Sequence, residues 1–102
     1  MSAAGFHMVA EQFKALADPV RLQVLHALES GEKSVGHLVV LVQTSQPNVS
    51  KHLRVLQHVG FVQKRADGNT NYYSISDPMI FKLCDLVCGG LEKHLKKRMG
   101  AL

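Results

Sequence analysis

Thr44-Ser45-Gln46-Pro47-Asn48-Val49-Ser50-Lys51-His52-Leu53-Arg54 decides how the rest of this chain is read. Thr44 or Ser45 can cap a helix, and Pro47 suits its first turn, where a missing N–H costs nothing. Val49, Leu53 and Leu56 then recur at i, i+4 and i+7, the spacing of one buried helical stripe. Among them stand Gln46, Asn48, Ser50, Lys51, His52 and Arg54, side chains that all form hydrogen bonds, with Lys51 and Arg54 cationic. An apolar stripe that anchors a helix, opposite a polar and basic face, is what insertion into the major groove of DNA requires.

The flanking sequence supplies the rest of a compact fold. Upstream, Ser34 caps a helix in which Val35, Leu38, Val39 and Val42 repeat with helical spacing, and a turn around Gln43-Thr44 joins it to the first segment. Together they form a helix-turn-helix over about residues 34–59, with Gly60 as the stop. Earlier still, Phe6, Val9, Phe13 and Leu16 mark a first helix over about residues 5–17. Asp18-Pro19 then opens a second helix, whose buried face is Val20, Val24, Leu25 and Leu28 and which stops at Ser30-Gly31.

Downstream of Gly60 the period changes. Residues 61–65 and 71–75 read as strands, and residues 66–70 as the turn between them, with Asp67-Gly68 the strongest hairpin signal. That hairpin, over about residues 61–75, would be a wing. Asp77-Pro78 repeats the cap-and-proline device and opens a last helix over about residues 78–99. The expected fold is mainly α with a small β-hairpin: four helices, a two-stranded wing and a long terminal helix. With no internal repeat or dividing linker, residues 1–102 are expected to form a single domain.

Bulk properties narrow the function. The 102 residues are 46% hydrophobic, with a formal charge of +4 and a pI near 9.3, which favours a polyanionic partner. Residues 45–75 hold Lys51, Arg54, Lys64 and Arg65 against the single acid Asp67, and so carry most of that positive charge. Gln46 and Asn48 suit base edges, because side-chain amides can pair bidentately with adenine. Ser45, Ser50, Lys51 and Arg54 suit phosphates, His52 suits either, and Arg65, Asn69 and Asn71 suit phosphate or minor-groove contact from the wing. No apolar run is long enough to span a bilayer, and the N-terminus lacks a signal-peptide pattern, so a cytoplasmic location is expected. No nucleophile–base arrangement, carboxylate pair or glycine-rich phosphate loop points to an enzyme.

The last helix carries its own message. Ile80, Cys84, Cys88, Leu91 and Leu95 share one stripe, widened by Leu83, Leu86 and Val87. So broad an apolar face needs more cover than a chain this small provides, which predicts a homodimer with the helices at about 5–17 and 78–99 as its interface. Gly89-Gly90 would allow close helix approach or a kink. Cys84 and Cys88, at i and i+4, either fill the stripe as small apolar side chains or present two thiols to a metal, metalloid or oxidant. His7 and His94 are the candidates for completing such a site.

Three segments resemble the ArsR/SmtB family of bacterial winged helix-turn-helix repressors. Phe13-Lys14-Ala15-Leu16-Ala17-Asp18-Pro19-Val20-Arg21-Leu22 is similar to that family's opening signature, and residues 45–53 to its recognition helix. Leu56 to Val62, followed by Gly68 and Tyr73, resembles its leucine–glycine–wing pattern. The resemblance implies a homodimeric repressor on double-stranded operator DNA, released by an inducer that is a metal or metalloid in some members. Neither family metal site is complete here. Ser34-Val35-Gly36-His37-Leu38 stands where arsenic sensors carry cysteines, and of the zinc-sensing set only Asp77 and His94 remain. A winged domain used only to dock another protein would be expected to lose the basic outer face that this chain keeps.

Overall fold

A computed structural model describes residues 1–100 as α1 (Ala3–Leu16), α2 (Pro19–Leu28), β1 (Lys33–Ser34), α3 (Val35–Val42), α4 (Gln46–His58), β2 (Val62–Asp67), β3 (Thr70–Ile75) and α5 (Met79–Gly100). The first four helices each start on a side-chain oxygen that accepts from an otherwise unpaired N–H. Ser2 takes Gly5 N–H, Ser34 takes His37 N–H and Ser45 takes Asn48 N–H, while Asp18 Oδ1 takes both Val20 N–H (2.8 Å) and Arg21 N–H (3.1 Å). Each such cap contributes about 1 kcal/mol to its helix.

Helix ends are equally local in origin. α3 stops where Gln43 turns left-handed, at φ 59°, and its N–H bonds to Val39 O at 3.0 Å. That single residue redirects the chain so that Thr44 and Ser45 suffice to start α4. At the far end of α4, Gly60 takes φ 86°, Gly60 N–H bonds to Gln57 O and Phe61 N–H reaches back to Leu56 O (3.0 Å). These paired bonds form a Schellman cap, and Phe61, packed against the core, supplies its usual apolar contact.

One core results. Val24, Leu25 and Leu28 of α2 meet Leu38 of α3 and Val49, Leu53 and Leu56 of α4, closed by Val62, Tyr73 and Ile80. The expected stripe of α4 is fully buried. The expected two-stranded wing is instead a three-stranded antiparallel sheet, ordered β1-β3-β2, because Lys33 and Ser34 pair with Tyr73 and Tyr72. A strand of two residues is too short to show alternation in sequence. The wing strands also run further than expected: Ala66 pairs with Asn71 and Asp67 with Thr70, leaving Gly68-Asn69 as the loop. Gly68 at φ 60° in the first loop position fits a type II′ turn, whose twist matches the strands.

The two ends of the chain are less covered. α1 buries only Ala15 and leaves Phe6 and Phe13 exposed. α5 buries Ile80 and packs Phe81, Leu83 and Cys84 on the core, whereas Leu86, Val87 and Leu91 are open, at 75%, 65% and 58% exposure. Among the described residues, no helix is long and apolar enough to cross a membrane.

Candidate nucleic-acid interface

α3 and α4 form a helix-turn-helix, and the burial of Val49, Leu53 and Leu56 fixes which side of α4 faces outward. Gln46, Lys51 and Arg54 are exposed there, Ser45 stands at the exposed cap, and Ser50 is half-buried. Asn48 is half-buried too, and its Nδ2 donates to Thr44 Oγ1 at 3.0 Å, which braces the side-chain amide across the first turn. The groups expected to meet base edges and phosphates therefore lie on one continuous, basic face. Its cations are not sequestered by acids on α4, since that helix contains none.

His52 is the exception, and the expectation that it meets DNA is corrected. Its side chain is buried (5% exposed) and turned toward α2. Arg21 Nη1 lies 3.0 Å from His52 Nδ1, and Asp18 Oδ1 lies 3.8 Å from His52 Nε2. Burial above all, then the charges of Arg21 and Lys51, holds the His52 pKa below its ordinary value against the opposing pull of Asp18. Asp18 itself is held below the usual carboxylate range, chiefly by the Arg21 N–H it caps. The inward turn was readable: residues 49, 52, 53 and 56 share one helical face, with His52 three residues after Val49.

The wing candidates divide between two faces. Strand register puts Arg65 opposite Tyr72 and Asn71 opposite Ala66, so Arg65 and Asn71 point to opposite sides, with Asn69 exposed at the tip. Val62 of β2 and Tyr73 of β3 are the buried residues of the hairpin, so its tip projects beyond the core. Arg65 is already engaged. It grips Glu32 with two hydrogen bonds, Nη2 to Oε1 at 2.7 Å and Nε to Oε2 at 3.1 Å, while its guanidinium lies 4.7 Å above the Tyr72 ring. The Arg65 hydrogen bond lowers the Glu32 pKa, and Glu32 in turn raises that of Arg65. Sequence reasoning missed Glu32, which no local pattern marks.

The thiols sit elsewhere. Cys84 is half-buried against the core, and burial, then Cys88, Asp85 and Glu29, pushes its pKa up, which disfavours the thiolate. Cys88 is exposed on the same helix. Both line an open groove of about 1090 Å³ between α2, α3 and α5. His7 is on α1, 3.5 Å from Glu11, and His94 is exposed on α5. Among the described residues, no three His, Cys, Asp or Glu side chains converge as a metal site requires.

Comparison with known proteins adds an independent line. Residues 18–64 match the profile of the bacterial regulatory protein family arsR. An uncharacterised helix-turn-helix transcriptional regulator of Methanocaldococcus jannaschii is 36% identical over 80% of this chain and 93% of its own length. A probable mercury resistance operon repressor of Streptomyces lividans is 42% identical over 72% of this chain and 59% of its own. In three dimensions the chain is similar to the homodimeric winged helix-turn-helix DNA-binding domain of a possible ArsR-family regulator from Mycobacterium bovis. That likeness has a TM-score of 0.84 and 33% identity, and covers 93% of this chain and 88% of the other.

Proposed function

This chain belongs to the ArsR family of bacterial regulatory proteins, and on that premise we propose that it is a homodimeric repressor that reads an inverted-repeat operator. The observation that carries this is the outer face of α4, where Gln46, Lys51 and Arg54 stand free while Val49, Leu53 and Leu56 hold the helix down. Gln46 and Asn48 read base edges. Ser45, Ser50, Lys51 and Arg54 hold phosphates, and Asn69 and Asn71 on the wing meet the backbone beside them. Arg65 joins them only by leaving Glu32.

Residues 1–102 act as one domain, in which α1 and α5 are the dimerisation helices. Their open apolar faces support that assignment, as does the homodimeric state of the Mycobacterium bovis relative. Two-fold symmetry then sets the half-sites about one helical turn apart. Repression rather than activation follows the Streptomyces relative. Cys84 is assigned to packing, since burial raises its pKa and disfavours the thiolate, and among the described residues no third ligand joins it and the exposed Cys88 in a metal site. No catalytic role is proposed.

Titration of wild type and Arg54→Ala onto duplexes selected from a random library, across a salt series, tests the interface. Loss of one phosphate contact should weaken binding to every duplex and reduce the log–log salt slope by about 0.9. Unchanged affinity and slope would remove Arg54 from the interface.

A further inference from the structure

One side chain, Arg21, ties α1 to the helix that faces DNA. Its Nε donates to Ala15 O and its Nη2 to Lys14 O (3.3 Å), carbonyls in the last turn of α1, where Lys14 O also accepts the N–H of Ala17 (3.2 Å). Its Nη1 reaches Nδ1 of His52 (3.0 Å), near the middle of α4. Asp18 closes the cluster by capping α2 through the backbone of Arg21 while lying 3.8 Å from His52 Nε2.

We infer that Arg21 and His52 form a positioning linkage that sets the attitude of the DNA-facing helix relative to α1, and that it holds only while His52 is uncharged. The inference rests on the proposed DNA-reading role of α4. Guanidinium can only donate, so Nδ1 must accept, and the single imidazole proton belongs on Nε2, toward Asp18. A second proton, on Nδ1, would set N–H against N–H and bring two cations into contact at a site where His52 is 5% exposed. The charged groups facing His52 are Asp18 at the α1–α2 junction, Arg21 on α2 and Lys51 on α4 itself. α1 contributes the Lys14 and Ala15 carbonyls, reached through Arg21. One carboxylate against two cations leaves the neutral ring favoured. Because α1 also carries the exposed Phe6 and Phe13, the linkage joins the proposed dimer face to the proposed reading head.

Two variants of the full chain separate the linkage from simple packing. His52→Asn keeps an oxygen acceptor where Nδ1 stood and cannot titrate, whereas His52→Leu fills the space with no acceptor. Binding is measured on a duplex that the wild type selects from a random library. Near neutral pH, His52→Asn should bind within about twofold of wild type. His52→Leu should bind about tenfold more weakly with the same salt slope, since a partner is lost and no phosphate contact is. As pH falls from about 7.5 to about 4.5, through and below the ordinary histidine range because burial lowers the His52 pKa, wild type should lose affinity about tenfold relative to His52→Asn. Protonation of exposed histidines strengthens phosphate attraction in both proteins and cancels in that ratio. A ratio that stays constant with pH, or a His52→Leu protein that binds like wild type, overturns the inference. Should His52→Leu fail to fold, nitrogen-15 NMR of the wild-type imidazole decides on its own. An Nε2–H tautomer at neutral pH is expected, and an Nδ1–H or cationic ring overturns it. If the wild type selects no duplex, the DNA-reading role has failed, and the NMR result still judges the linkage.

Discussion

Along α4, neighbouring residues have opposite duties, and single substitutions should separate them. Leu53→Ala opens a cavity among fully buried side chains and should lower unfolding free energy by about 2–5 kcal/mol in denaturant titration. Gln57→Ala, on the exposed face, should stay within about 0.5 kcal/mol of wild type. His52 adds a pH signature. Its folded pKa lies below its unfolded one, so its contribution is complete above the ordinary imidazole range and is lost as pH falls through the lowered value. Stability of the wild type relative to His52→Asn should therefore decline on acidification, and a flat difference would remove the burial argument. The thiols should separate too: alkylation of the native protein should modify Cys88 well before Cys84, and denaturation should erase the gap. Sequence alone marked the apolar stripe of α4, and its i, i+3 spacing already held the inward turn of His52, which a count of polar residues overlooked. It could not mark Glu32 beside Arg65, since 33 residues separate them and only the sheet brings them together.

Among elements, the caps and stops were the most legible, because Ser34, Ser45, Asp18-Pro19 and Gly60 act on backbone groups a few residues away. Strand β1 was not legible, since its two residues are a strand only by virtue of Tyr72 and Tyr73. The wing turn shows local chemistry deciding geometry. A Cβ at Gly68 would meet no neighbouring atom within 4 Å, so Gly68→Ala isolates the conformational penalty of φ 60° from any clash. The expected loss is about 1 kcal/mol in thermal or chemical unfolding, with the helices unchanged by circular dichroism. A neutral result would mean that the loop adopts a different turn.

For the whole molecule, the uncovered surfaces of α1 and α5 matter more than the core. Their apolar character was evident in sequence, but periodicity cannot say whether such a face turns inward or toward a second subunit. In the folded chain Phe6, Phe13, Leu86, Val87 and Leu91 remain outside. Replacing Val87 and Leu91 together with Glu should leave the monomer fold intact, because both are more than half exposed, and should shift sedimentation from dimer to monomer. The measurement that bears most directly on the proposed function is sequencing of the duplexes that the unmodified protein enriches from a random library. The expected product is an inverted repeat with half-site centres about 10 base pairs apart, the spacing that two recognition helices related by a two-fold axis require. No enrichment, or enrichment of a motif without two-fold symmetry, would contradict it.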